Sequence, residues 1–410
     1  MNTHCDILVV GGGVAGTAAA VAAARTGCRT VLIEREQYLG GIGYSGLLQH
    51  LCGLYVNSET EPKETLNNGI ARELVSLLGK RTPQRKVVKI GQVYVLPYSR
   101  DDLQFVLGSL CSAEPSLSVF PEAEALSVES NQGVLMNVTV GRSGITQEIQ
   151  PGMVIDCTGS GAVSVMAGAS FDMAPPERVQ LAGYIVQIRD LVNRDDSLSI
   201  KVPYYLADAV NKGKLPPFLR FTTFTPGEEP DEGFCKLSID GQIDHDREQL
   251  ARQYAETVHR YLSTVLPSFK DSRIAASSRG VMDREGRRIR GEYTLTEDDV
   301  VRGRKFPDGV AKNSWPIELW DRERGTLYRY LKPGDYYEIP LRCLTVQGFR
   351  NLLCAGRCIS VSHEALGSTR VMGTCITLGE QAAVAAAHYL RHGYYPQTRE
   401  KRETAKEKIT

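Results

Sequence analysis

The sequence predicts an α/β protein: a Rossmann-like nucleotide-binding domain with an inserted β-meander, joined to a second α+β substrate domain with an antiparallel sheet. Three observations predict it. A glycine-rich strand–turn–helix opens the chain, short alternating strands interrupt that first unit, and an apolar strand with an Ala-rich helix returns to it near the end.

The opening unit, Asp6 to Glu34, reads DILVVGGGVAGTAAAVAAARTGCRTVLIE. Ile7 to Val10 is apolar and β-branched, as in a strand buried on both faces of a parallel sheet. Gly11, Gly13 and Gly16 keep the G-x-G-x-x-G spacing, with Val14 and Ala15 between them. The first glycine allows the tight turn, the second lets backbone approach a pyrophosphate, and the third lets the helix pack on the strand. Thr17 to Arg25 is the Ala-rich helix, Gly27 its stop, and Thr30 to Ile33 the second strand. Glu34 closes that strand, with Arg35 beside it, where a carboxylate accepts hydrogen bonds from a ribose hydroxyl. Strand, glycines, helix, second strand and acid agree: the unit is expected to bind an ADP-containing dinucleotide.

Composition narrows the rest. A chain of 410 residues can bury two cores. Basic and acidic residues balance at 48 each, so no nucleic-acid partner and no anionic membrane is expected. No apolar stretch has transmembrane length, and the first strand begins too early for a signal peptide. The ten cysteines contain no C-x-x-C pair; no metal or iron–sulfur cluster is expected, and a reducing cytoplasm is the expected compartment.

Along the chain, Leu39-Gly40-Gly41-Ile42-Gly43 and Gly46 suggest backbone pressed against something flat. Asn67 to Leu78 has the spacing of an amphipathic helix, and Ser99 caps another through Cys111. Leu117 to Phe120 is a strand. Ala125 to Ser130, Val134 to Val140 and Ile145 to Ile149 form the meander, and Met153 to Cys157 is a separate strand ending in the small-residue loop Asp156 to Gly161, with Gly159 near the ligand. From residue 179 to 335 the character changes. Gly183 to Ile188, Phe218 to Phe224 and Phe234 to Ile239 read as antiparallel strands, and Arg247 to Val265 as a helix. Residues 336–395 return to the first domain (1–178): strand Asn351 to Ala355, turn Gly356-Arg357, loop Cys358 to Arg370, and helix Val371 to Leu390. Residues 396–410 form a charged tail. The N-terminal turn of the last helix, Met372 to Thr374, should present free N–H groups and a positive dipole end.

Three blocks together resemble the FAD-dependent oxidoreductase family of the glutathione-reductase-like flavoprotein superfamily. They are the dinucleotide unit with Gly40-Gly41, the stretch Arg284-Glu285-Gly286-Arg287-Arg288-Ile289, and NLLCAGRCISVSHEALGSTRVMGTC from Asn351 to Cys375. The resemblance implies FAD, with Gly11 to Gly16 at the pyrophosphate, Glu34 at the adenosine ribose, and Gly356 and Arg357 at the phosphate–ribityl region. Gly373, Thr374 and Cys375 would lie at the pyrimidine end of the flavin. Gly286 stands where relatives usually have Ser, and Gly373 where many have Pro. Ile42 to Ser45 offers no His or Cys for a covalent flavin link, so the FAD is expected to be noncovalent.

The activity expected is removal of a hydride from a small organic substrate at the domain interface; the alternative is a monooxygenase or tailoring enzyme using external reductant and oxygen. His363 or Glu364 is the acid–base candidate, with Glu364 orienting the imidazole. Arg370, Arg284, Arg287 and Arg288 are candidates for binding an anion, although an ion-pair network between domains would explain the Arg284 to Arg290 run as well. Tyr336 and Tyr337 either line the site or pack. The sequence leaves the electron acceptor open, and a homo-oligomer is compatible with it.

Overall fold

The computed structural model describes residues 3–192, 195, 197–241 and 246–396. The tail expected over Gln397 to Thr410 lies outside the described residues.

The main sheet has seven strands. Thr3–Val10 pairs in parallel with Thr30–Glu34 on one side and with Ile145–Asp156 on the other. Leu117–Pro121 extends the sheet beyond Thr30–Glu34, and Leu352–Cys354 joins Ile145–Asp156, both in parallel. Ile7, Leu8, Val9, Val154, Ile155 and Leu353 are wholly buried, as a sheet covered on both faces requires. The helices Val14–Arg25 and Met372–His392 pack together so closely that a Cβ on Gly379 would lie 1.9 Å from the Ala15 carbonyl oxygen.

Two strands expected from the sequence are one. Ile145–Asp156 runs unbroken through Pro151-Gly152. Its first residues pair antiparallel with Val138 to Arg142, and its last pair in parallel with Leu352–Cys354. Pro151 falls between those two ladders, which end at Ile149 and begin at Val154, so its missing N–H breaks no bond on that side. The Asn351 carboxamide fills the gap, bonding both backbone groups of Leu135 (2.9 and 3.0 Å) and the Gly152 carbonyl (3.2 Å).

The second sheet is antiparallel, in the order Thr223–Pro226, Gly233–Ile239, Ala182–Arg189, Arg273–Ser277. Helices Leu198–Asn211 and Arg247–Val265 cover one face, enclosing Tyr184, Val186, Cys235 and Leu237 in a core of their own. Alternation along the strands turns Gly183, Ile185, Phe234 and Lys236 to the other face, where Ile185 and Phe234 pack against Leu47, Leu48 and Met282. Residues beyond this sheet, such as Ile289, Leu295, Phe306 and Ile317, rejoin the first core.

Three local expectations need correction. Phe218 to Phe224 is a 3₁₀ turn, Pro217–Phe221, followed by a four-residue strand; Pro216 and Pro217 lack the amide donors a strand needs. Helix Leu198–Asn211 was not expected, because Pro203 masks the helical spacing of its buried Leu198, Val202, Leu206 and Ala209. The loop expected over Cys358 to Arg370 contains a helix, His363–Thr369, whose start is capped by Ser362 Oγ accepting from the Ala365 N–H at 3.2 Å.

Candidate functional site

At the carboxyl ends of the parallel strands, where open α/β sheets take their ligands, four glycine segments meet. The Gly40 N–H donates to the Gly12 carbonyl at 2.8 Å. A Cβ on Gly41 would lie 3.1 Å from Gly13 Cα, and one on Gly356 3.3 Å from Ala15 Cβ. Arg357 Nε donates to the Gly159 carbonyl at 2.9 Å, and the same guanidinium reaches the carbonyls of Asp283 and Glu285. Gly11, Gly40 and Gly159 have φ of 97°, 96° and 72°, a region that excludes most side chains. In front of Gly13, the N-cap of helix Val14–Arg25, a Cβ would meet nothing within 4 Å. Glu34 is buried at the edge of this space. It accepts from the Gly12 N–H at 2.5 Å and the Glu36 N–H at 2.8 Å. Burial raises its pKa by more than those donors and Arg35 lower it. Arg35 itself is exposed and pairs with Glu36 at 3.5 Å.

The last helix begins beside this space, but its first turn offers fewer free donors than expected. The Gly373 N–H donates to the Cys52 carbonyl at 2.8 Å, and a Cβ on Gly373 would lie 2.6 Å from the Gly53 carbonyl carbon. Thr374 is fully buried, and its Oγ1 has no partner among the described residues. Cys375 Sγ turns to the Arg370 carbonyl at 3.4 Å, and burial pushes its thiol up to about 12. Open space before Gly13, glycine backbone on several sides and an orphaned hydroxyl at a helix end fit a dinucleotide with a polar ring system.

The acid–base candidates are held differently from what the sequence suggested. His363 Nδ1 lies 2.9 Å from Glu285 Oε2, whereas Glu364 turns away to Arg178 at 2.7 Å. Glu285, not Glu364, orients the imidazole. The other Glu285 oxygen accepts from the Gln180 N–H. Burial pushes the Glu285 carboxyl up, but its bond to His363, that N–H and the Arg288 charge outweigh this and leave it below its ordinary value. Within the run Arg284 to Arg290 the described bonds go mostly to carbonyls, with one ion pair at its end, rather than into an ion-pair network. Arg284, Arg287 and Arg288 donate to the carbonyls of Leu181, Ser160 and Val361, while Arg290 pairs with Asp172 at 2.7 Å. Tyr337 packs, its hydroxyl 2.7 Å from both Ser368 Oγ and Asn313 Nδ2.

A second constellation, most of it unread in the sequence, stands on the face of the second sheet that is bare of helices. Lys236 Nζ lies 4.4 Å from the centre of the Trp320 ring, and the Arg284 guanidinium 3.8 Å from it. Arg370 bonds the Gln180 side chain (3.1 Å) and the carbonyls of Arg284 (2.7 Å) and Glu318 (2.9 Å). The Glu318 carboxylate takes the indole N–H groups of Trp320 (2.9 Å) and Trp315 (3.3 Å). Burial lowers all three cations: Lys236 to about 8, Arg284 to about 9 and Arg370 to about 10. Burial also pushes Glu318 up, and the charges of Lys236 and Arg370 more than reverse it. Trp315 packs with Cys52 and Val371, so this face adjoins the start of the last helix. The signal available in the sequence was a lysine inside the apolar strand GFCKLSI and the chain's two tryptophans five positions apart.

Solved structures share this architecture at low identity. A geranylgeranyl bacteriochlorophyll reductase-like protein from Thermoplasma acidophilum aligns over all of this chain and 84% of its own, at 14% identity and a TM-score of 0.53. The anhydrotetracycline hydroxylase OxyS of Streptomyces rimosus aligns over 99% of this chain and 66% of its own (13% identity, TM-score 0.54), and the flavin-dependent brominase Bmp2 over 99% and 83% (13%, 0.53). Among the described residues no helix is long and apolar enough to cross a membrane. The model of the family described as FAD dependent oxidoreductase matches residues 6–406, and with that match over a fitting glycine cradle the chain belongs to the FAD-dependent oxidoreductase family and takes FAD as its cofactor.

Proposed function

We propose that the protein is an FAD-dependent tailoring enzyme that uses an external reductant and oxygen on a small organic substrate, rather than the hydride-removing dehydrogenase that the sequence suggested. The observation that carries the placement of the substrate is the meeting at Cys52-Gly53. This dipeptide touches the start of the last helix on one side and Trp315, on the bare face of the second sheet, on the other. Oxygen chemistry is supported by the neighbours, among them a hydroxylase, a brominase and the aromatic hydroxylase CabE. The reductase-like neighbour favours the second reading, direct electron exchange between flavin and substrate.

In this reading Gly11, Gly13, Val14, Ala15 and Gly16 hold the pyrophosphate, and Glu34 holds the adenosine ribose with Arg35 at the rim. Gly40, Gly41, Gly159, Gly356 and Arg357 line the middle of the cofactor, and Gly373, Thr374 and Cys375 its pyrimidine end. Bound there, FAD supplies a two-electron redox centre. The chain's own residues bind and orient. Arg370 ties the last loop to Gln180 and the Glu318 strand. Glu285, on His363 Nδ1, leaves Nε2 to exchange a proton with substrate. Glu364, paired with Arg178, sets the outer edge of that helix.

The test is anaerobic. A reduced nicotinamide nucleotide or dithionite should bleach the bound flavin, and admitting oxygen with substrate present should place one oxygen atom in the product, or a halogen when halide is also supplied. Bleaching by an organic substrate alone, with no other reductant, would overturn the oxygen-using reading in favour of a dehydrogenase.

A further inference from the structure

We infer that the bare face of the second sheet is an anion-recognition site built on Lys236 and Arg284, and that the substrate carries a carboxylate. This deepens the reading of a small-molecule substrate beside the flavin and rests on it.

The argument starts from charge. Lys236, Arg284 and Arg370 crowd around one carboxylate, Glu318, whose two oxygens are each taken by an indole N–H. None of the three cations forms an ion pair among the described residues, although ion pairs are plentiful elsewhere on the molecule. Lys236 has no hydrogen-bond acceptor among them either; its nearest described interaction is with the Trp320 ring. Three cations gathered around a single carboxylate, in a place that burial makes unfavourable for them, are costly unless something else compensates. An incoming anion would do so.

The surroundings select the kind of anion. Gln180 is 97% buried, and its Oε1 is fixed by the Trp320 backbone N–H and Arg370, while its Nε2 is left without a partner among the described residues. That is a neutral donor beside the cations. Ile185 lies directly across the strand pair from Lys236, and Trp315, Trp320 and Phe234 make the neighbourhood apolar and aromatic. An organic acid satisfies both halves: its carboxylate meets a lysine point charge and an arginine fork, and its carbon frame lies on the aromatic wall. An inorganic anion would leave that wall wet.

The chain's only two tryptophans, Trp315 and Trp320, both sit here, so tryptophan emission, excited selectively over tyrosine, reports on this place. The FAD-replete protein is titrated with benzoate and cinnamate and, separately, with benzamide and cinnamamide. A saturable emission change with the acids, at a Kd at least tenfold below that for the amides, is expected. Lys236→Met should weaken the acids tenfold or more, and Lys236→Arg should retain them. Acids and amides that bind alike, the absence of a saturable change, or a Lys236→Met protein with unaltered Kd would each overturn the inference. If Lys236→Met does not fold, the acid–amide comparison on the unaltered protein decides. Failure of the flavin reading looks different: the protein would then be colourless and hold no FAD, whatever the acids do.

Discussion

The glycine crevice of the first sheet and the bare face of the second sheet offer a ligand opposite means of recognition. The crevice is built mainly of backbone: Gly11 to Gly16, Gly40, Gly41, Gly159 and Gly356 offer it, with Glu34 buried at the rim and Arg357 bonded to the Gly159 carbonyl. The bare face offers side chains, from a strand (Lys236), a connecting segment (Arg284), a hairpin (Glu318, Trp320) and a helix C-cap (Arg370). Backbone recognition needs residues that are absent in a specific sense, glycines without a Cβ. Side-chain recognition needs residues brought together by the fold. The first kind tolerates change of substrate poorly and the second readily, which is how one cofactor unit can serve many reactions.

The largest effect should separate glycines that hold the fold from those that hold the ligand. Gly379→Val puts carbon where the Ala15 carbonyl stands, and overpacking backbone against backbone should cost about 3 kcal/mol or more, seen as loss of folded protein or a much lower Tm. Gly13→Val should leave the flavin-free protein as stable as before, because its Cβ enters open space, yet FAD should no longer copurify. If Gly13→Val unfolds the chain instead, the distinction fails.

Glu34→Ala is next. It removes a buried charged acceptor, and FAD binding should weaken by about 1.5–3 kcal/mol, read from flavin retained on dilution. Wild-type retention would remove Glu34 from the cofactor site.

On the second sheet the expected effect is a slope with pH. Lys236 is lowered from 10.5 to about 8 by burial, with Arg284 and Arg370 adding to the shift and Glu318 and the Cys52 thiol opposing it. Between those values the unfolded chain binds the proton and the folded chain does not, so stability should rise with pH from about 8 to 10.5. Denaturation midpoints across that range should show the rise, and Lys236→Met should flatten it. An equal slope in the variant would mean that another group is responsible.

The smallest effect belongs to Glu285. Its carboxyl is held below the ordinary value, so its contribution is complete above the usual carboxylate range and fades as pH falls through the lowered value. Glu285→Gln keeps the shape and should cost about 1 kcal/mol near neutrality, converging with the unaltered protein in acid. A constant difference down to low pH would show that shape, not charge, carries the contact.

Legibility in the sequence follows the same division. The dinucleotide unit was readable because Gly11, Gly13, Gly16 and Glu34 lie in one stretch, and their roles depend on spacing. The strand at Asn351 and the last helix were readable for the same reason. The Glu285–His363 contact was not, since 78 positions separate its partners, and Glu364 was the nearer carboxylate in sequence. Nor was the cluster around Glu318, whose members look singly like surface charge and core aromatics. Pro203 and Pro151 misled in opposite ways, hiding a helix and splitting a strand: helix Leu198–Asn211 continues past the bond that Pro203 cannot make, and Pro151 falls between two ladders.

The return of the chain's end to its beginning has a consequence for how the protein comes into being. Arg357 meets Gly159 across 198 positions, and the last helix lies against the first. During synthesis the core between residues 182 and 269 is fully made while the sheet at Val154 to Asp156 still lacks its neighbour at Leu352–Cys354. Long-range parallel pairing of this kind forms slowly, and the nascent first domain waits with an open edge. If the last helix closes one end of the cofactor site as proposed, flavin uptake would be the closing event of folding, and free flavin would favour the folded chain over aggregation.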